Sequence, residues 1–351
     1  MLVLLYIVLF FFCLIGLRFH KEYNIDYLAV DRCNAVKGFF LLLVFFSHIN
    51  QYIIGSGYNP TFWGDMAYFR FTSSIGQLMV VMFLFFSGYG IMESFKKKGG
   101  EYVSTMPKKR ILTTLLNFDV AVLFFILLNL LLGKIMSLRQ ILLSILAWDS
   151  VGNSNWYIFC ILVCYLLSFM VLFLYSLFFR SKSVYIYALS PIFILSIITI
   201  VVLSYLKAPY WYNTMLCFPF GMLYSVIRKE IDSFAQNHYY KSVAAFIILF
   251  LVFRYIPISM KGLIYNMESI AFAMIIVFVM MKVESDNKWL RWMGQNLFPL
   301  YIYQRLSMMA IYEAPGGKDF IGSFQILYIV ICFICTLLIT SQYHRWQIKF
   351  S

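Results

Sequence analysis

Short polar breaks divide the chain into eleven apolar runs, at residues 2–17, 38–55, 76–93, 111–133, 155–179, 184–205, 211–227, 243–256, 263–281, 295–312 and 322–341. Crossing the hydrocarbon core of a bilayer takes about 20 residues of helix, and inside it every backbone N–H and C=O must find a partner within the protein. Runs of this length and number leave helix as the form for nearly the whole chain. The 62% hydrophobic and 12% charged composition agrees, and 351 residues are consumed by these spans and their short connections. The expected fold is all-α: a polytopic bundle of about 10–11 transmembrane helices, in a cell membrane (plasma or inner), with lipid as its solvent.

The formal net charge of +13 would suit a nucleic-acid partner only if it formed a basic face on a folded domain. Instead the lysines and arginines lie between apolar runs, so no nucleic acid is expected. One set of alternate loops holds Arg18, Lys21, Arg32 and Lys37, then Lys96 to Arg110, then Arg180 and Lys182, then Arg228, Lys229 and Lys241, then Lys282, Lys288 and Arg291, and finally Arg345 and Lys349. The other set holds only Arg70, Lys134, Arg139, Lys207, Lys261 and Lys318. Basic loops stay in the cytoplasm. That rule places the N-terminus outside and the C-terminus inside. The first run, MLVLLYIVLFFFCLIGL, has no basic residues before it and no small-residue cleavage site, so it reads as a span of its own rather than a signal peptide.

The cysteines sit almost all in apolar runs, where the thiol acts as a small hydrophobe, and no disulfide framework or metal-ligand set is implied. That directs attention to the few polar residues within the spans. In KGFFLLLVFFSH, Lys37 and His48 are eleven positions apart, just over three helical turns, so both face the same way about 16 Å apart. Lys37 falls at the cytoplasmic mouth and His48 near mid-membrane, with Asn50 close by. His20, His238 and His344 map to loops or interfaces, which leaves His48 as the imidazole available within the membrane for proton transfer. Its bland alternative is a buried ring bonded to a neighbouring carbonyl.

Asp119, nine residues past Arg110, reaches a similar depth and either orients His48 or pairs with another span. Glu268 and Arg305 fall in the outer half of adjacent spans, near Arg254, and read as an ion pair or an outward polar pocket. Ser87, in FFSGYG, is either a nucleophile or a small residue for close helix packing, and packing is favoured. The basic loop KKKGGEYVSTMPKKR serves either orientation alone or the binding of an anionic cytosolic ligand.

Four stretches in order carry a resemblance to a known family: NAVKGFFLLLVFFSHINQ; MFLFFSGYGIMES followed by PKKRILTTLL; NWYIFCILVCYLL; and FPFGMLYSVIRK with WMGQNLFPLYIYQ. In this order the chain resembles the acyltransferase 3 family of integral membrane acyltransferases, which modify carbohydrates and other hydroxyl-bearing acceptors. The resemblance implies one transmembrane acyltransferase domain over 1–351, with a family-like core at about 26–341 and an extra N-terminal span at 2–17. By position, His48 looks like the catalytic histidine and Lys37 like the basic residue beneath it. Arg110 looks like the first member of a cytoplasmic R-x-x-R that contacts the acyl-CoA donor. The second basic position is Thr113 here, so Lys108 or Lys109 stands in; Gln304 occupies a place where many relatives have histidine.

The implied reaction is transfer of an acyl group, acetyl by family frequency, from cytosolic acetyl-CoA to a hydroxyl of a cell-surface or lipid-linked polysaccharide, with exopolysaccharide O-acetylation as the type. No metal is expected. A polysaccharide or lipid-linked-oligosaccharide flippase, or another transporter, would share the spans and basic loops. It would not need Lys37 in phase beneath a lone intramembrane histidine, and the internal halves common in transporters are not evident.

Overall fold

A computed structural model describes residues 2–24, 26–178, 185–256 and 261–349. Arg180 and Lys182, counted above with the inner loops, lie outside the described residues, as does the side chain of Lys261.

The described residues are helical almost throughout. Helix α1 (Val3–Leu14) leads into β1 (Leu17–Phe19). Helix α2 (Val30–Gly55) is followed by α3 (Trp63–Ile75), a 3-10 turn at Gly76–Val80, and α4 (Val81–Lys98). Gly76 turns the chain there with φ +49, a conformation that a side chain would resist. Next come α5 (Gly100–Met106), a π-turn at Pro107–Leu112, and α6 (Thr113–Leu131). Then α7 (Leu138–Ile145) and the 146–155 loop precede α8 (Trp156–Phe178) and α9 (Ile186–Leu206). The second half holds α10 (Cys217–Val226), α11 (Arg228–Tyr255, broken at His238) and α12 (Lys261–Lys282). It ends with β2 (Val283–Ser285), α13 (Lys288–Gln295), α14 (Leu297–Glu313), α15 (Gly317–Ser323) and α16 (Gln325–Tyr343). The only pairing of strands among the described residues joins β1 antiparallel to β2, Arg18 opposite Glu284. It clasps the inner end of α1 to that of α12.

Among the described residues, seven helical stretches are long and apolar enough to cross a membrane: α2, α3–α4, α5–α6, α8, α9, α12 and α16. The sequence suggested ten or eleven. The other four apolar runs fall on α1 (12 residues), α10 (10 residues), the second part of kinked α11, and α14 (17 residues). At 1.5 Å per residue α10 covers only about 15 Å, half of the hydrocarbon core. Apolar side chains point outward from the long helices, as with Leu127, Leu130, Leu177 and Leu338, where a soluble protein would place polar ones. Lipid covers them.

Two helix pairs around the centre are held at backbone contact by glycine. A Cβ on Gly38 would stand 2.0 Å from the Leu290 carbonyl oxygen, and one on Gly294 1.9 Å from that of Asn34, so α2 and α13 meet with nothing between them. The same relation joins α4 to α10, with 1.9 Å for Gly88 against Phe218 and 2.1 Å for Gly221 against Phe85. In lipid, where no hydrophobic effect drives helices together, such close approach supplies the packing attraction. The packing reading of SGYG therefore belongs to Gly88, next to Ser87.

Candidate functional site

Helix α2 carries Lys37 and His48 on one face, as its period dictates. His48 lies about 27 Å beyond Val30 and about 10 Å short of Gly55, so it is nearer the outer end than the middle of the helix. It borders a cavity of about 490 Å³ whose walls come from five segments. Ser47, His48 and Gln51 belong to α2, Gly76 and Gln77 to the kink before α4, and Ser150, Asn153, Ser154 and Asn155 to the outer loop. Trp156 and Tyr210 form an aromatic side, and Tyr301 and Arg305 reach in from α14.

The outer loop is shaped by its own polar groups. Asn153 Oδ1 accepts from the Val151 N–H at 3.1 Å, and the Ser150 hydroxyl donates to the Asn153 carbonyl at 2.7 Å. Gly152 permits this knot with φ +110. Asn129 of α6 donates to the Val151 carbonyl at 2.7 Å, and Asn155 donates to the carbonyls of Ala147 and Asp149, so the loop is pinned from below and from behind. Lys207 closes the far side: its ammonium donates to the Trp148 carbonyl at 2.6 Å and lies over the Trp148 and Trp211 rings. Burial against these rings lowers its pKa.

Among the buried polar atoms of residues lining the cavity, His48 Nδ1 and Asn153 Nδ2 have no hydrogen-bond partner, and the Tyr301 hydroxyl interacts with Ser154. Buried polar groups are nearly always paired, and each unpaired one is costly. With Ser47, Gln51, Gln77, Ser150 and Asn155 beside them, the cavity has a polar lining in which Arg305 is the permanent charge. The His48 ring is 8% exposed and packs edge-on to Tyr301 at 6.1 Å between centroids, and Tyr301 leans in turn on Tyr157 at 5.1 Å. The imidazole is thus held by aromatic edges at the border of the cavity, with Nδ1 turned into the protein.

A second polar group forms at the inner end. Lys37 is half-buried and within electrostatic reach of Arg110. Arg110 is exposed on the π-turn and interacts with Tyr102 and Tyr165; Ser87 also faces Tyr165. A π-turn inside a helix is rare and recurs at functional sites. Lys108 and Lys109 are exposed on the same turn, and Thr113, in the second basic position, donates its hydroxyl to the Lys108 carbonyl at 2.8 Å.

Several expectations are corrected here. The cavity that holds His48 extends along α2 to Val44, and Lys37 is not in its wall. Leu41, 4% exposed, occupies the shared face between them, so an apolar side chain separates the two polar ends. Asp119 does not orient His48: no hydrogen bond or ion pair joins them, and its Oδ1 is itself without a partner. Helix α6 packs on α7, α8 and α14 rather than α2. Asp119→Asn is therefore expected to leave any activity that depends on His48 within a factor of about two, measured on the purified protein. Asn50 is not in the pocket. It accepts from the Tyr68 hydroxyl at 2.7 Å and donates to Thr72 at 3.3 Å, tying α2 to α3. Glu268 pairs with Arg254 at 2.9 Å and leaves Arg305 to the cavity.

Sequence reading missed the loop residues Ser150, Asn153 and Ser154, and also Gln51, Gln77 and Tyr301. A signal was available in GNSN, an uncharged polar cluster directly before a span.

Comparison with known proteins identifies a family. The family model described as an acyltransferase domain, that of the acyltransferase 3 family, matches residues 30–341. No curated protein and no solved structure matches the chain. The match begins at the first residue of α2 and ends within α16, taking in His48, the outer loop, the inner basic turn and α14. With nearly the whole chain covered, it belongs to the acyltransferase 3 family and is a multi-pass membrane acyltransferase.

Proposed function

We propose that the protein transfers an acetyl group from cytosolic acetyl-CoA to a hydroxyl of a surface or lipid-linked glycan, with His48 as general base. The observation that carries this reading is that His48, with no hydrogen bond to the protein, borders a polar, largely uncharged cavity near the outer end of α2. Uncharged amides and hydroxyls beside Trp156, Tyr210 and Tyr301 suit a sugar, which presents hydroxyls on its rim and C–H groups on its faces.

His48 takes the proton of an acceptor hydroxyl as the oxygen attacks the thioester carbon. The C–S bond breaks, the acyl C–O bond forms, and the CoA thiolate recovers the proton from the imidazolium. A positioned base of this kind contributes about 10²- to 10⁴-fold. The donor approaches from the other side. Its phosphates rest on Lys37, Arg110 and the neighbouring lysines of the π-turn, while the narrow pantetheine arm passes Leu41 to bring the thioester to His48. Burying Leu41 between the two ends keeps water from running through, and the arm displaces it only when the donor is bound.

Purified protein supplied with acetyl-CoA and a glycan should yield the ester, read as a mass increase of one acetyl group; a glycan left unchanged would refute the transfer. Lys37→Ala is expected to raise KM for acetyl-CoA by about tenfold, the loss of one charge-assisted contact, with a smaller change in kcat. An unaltered KM would place the donor elsewhere.

A further inference from the structure

Arg305 is a cation within the bundle with no carboxylate partner among the described residues. Its Nε donates to the Tyr52 hydroxyl at 3.3 Å, and its guanidinium lies 5.4 Å from the Tyr52 ring centroid. These contacts fix its direction without neutralising it. Glu313, which shares a cavity wall with Arg305, is already engaged by Lys134 at 2.7 Å, and Glu268 is taken by Arg254 at 2.9 Å. An ionised group at this depth is expensive, and one left without a counter-ion marks a place where an anion arrives.

Its position says which anion. Arg305 and Ser150 border the His48 cavity and also a second cavity of about 340 Å³, which continues past Asn129 and Gln140 to the Lys134–Glu313 pair. The two spaces meet at Arg305. Because Lys134 and Glu313 cancel, the joined walls carry one net positive charge, that of Arg305, about two turns of α14 below the Glu313 end. The cation therefore lies on the acceptor side, along the route from the outer surface to His48, and not at the inner basic turn.

Resting on the acyl-transfer reading above, we propose that the acceptor is an acidic glycan. A carboxylate or phosphate on one sugar seats on Arg305, and a hydroxyl of that sugar or the next reaches His48. The planar guanidinium fork suits either anion and fixes its orientation as well as its place. The seated anion also faces the imidazolium that forms when His48 takes the proton, so the same charge that positions the acceptor steadies the ring during transfer. A neutral glycan would displace water from the guanidinium and supply no counter-ion in its place, and that cost makes the selectivity.

The test uses the full chain in lipid nanodiscs with acetyl-CoA and three oligosaccharides of equal length: neutral glucose, glucuronate, and phosphate-substituted glucose. At least one acidic acceptor should exceed the neutral one in kcat/KM by about tenfold or more. Arg305→Gln should bring that ratio near one, and Arg305→Lys should restore part of it. The carboxylate and phosphate arms decide between the two anions. Equal use of all three by the unmodified protein overturns the proposal. So does an Arg305→Gln variant that slows all three alike, the signature of a guanidinium serving the oxyanion of the reaction instead. Equilibrium binding of the same oligosaccharides without acetyl-CoA separates the two levels. Tighter acidic binding that Arg305→Gln abolishes supports this proposal even if no ester forms, and then the acyl-transfer reading is the one that falls. No acidic preference in binding, alongside ester formation on neutral glucose, overturns the acidic acceptor and leaves acyl transfer standing.

Discussion

Replacing His48 with alanine is expected to lower acyl transfer by about 10²- to 10⁴-fold while the protein still folds and reaches the membrane. The two halves of this expectation have separate grounds. His48 is the imidazole in the cavity wall and has no hydrogen bond to the rest of the protein, so its removal strands no partner. It also borders space that already exists, and shortening the side chain enlarges a polar cavity instead of opening a void in a close-packed core. His48→Gln sharpens the comparison, since glutamine keeps polar atoms at similar reach yet accepts no proton near neutral pH. Both variants should lose the ester on the glycan, measured by mass spectrometry, with thermal stability near that of the unmodified protein. Undiminished ester in either one would remove His48 from the chemistry.

The second large effect is structural. Gly294→Ala places a methyl carbon 1.9 Å from the Asn34 carbonyl oxygen, and Gly38→Ala places one 2.0 Å from that of Leu290. Ordinary contact lies near 3.5 Å, so each change must push α2 and α13 apart by about 1.5 Å. Overpacking of this kind commonly costs about 1–3 kcal/mol, and here the neighbouring atom is a backbone carbonyl oxygen, which cannot swing aside as a side chain would. A cost at or above the top of that range is expected, seen as a marked fall in melting temperature and in yield from the membrane. The pair should also be strongly non-additive: once one methyl has separated the helices, the second costs little. Because Gly38 adjoins Lys37, the surviving fraction of Gly38→Ala should also bind acetyl-CoA more weakly. Additive melting shifts in the double variant would mean that the two glycines do not share one contact.

The helical fold and its membrane setting were legible because lipid leaves the backbone few alternatives, and apolar runs announce that setting directly. The stripe from Lys37 to His48 was legible for the same reason, since a helix fixes which residues share a face. What joins one helix to another was not. Asp119 has the right depth for His48 but sits on α6, a helix that packs elsewhere, and depth along the axis carries no information about neighbours. Glu268 was placed in the outer half beside both Arg254 and Arg305, and only the packing decides that Arg254 takes it. Asn50, two residues from His48, points some 200° around the helix and is absorbed in the tie to α3. The outer loop escaped notice because short polar loops look alike in sequence, and Asn153 becomes a wall of the site only through hydrogen bonds to its own backbone.

The account centres on a reaction that joins two sides of a membrane, with the donor held at Lys37 and Arg110 and the acceptor at His48. Sealed proteoliposomes with the protein in one orientation test this directly, with labelled acetyl-CoA confined to the Lys37 face and glycan to the opposite face. The account predicts labelled glycan, lost in His48→Ala vesicles that remain sealed. Label reaching glycan only when donor and acceptor share one face would contradict it.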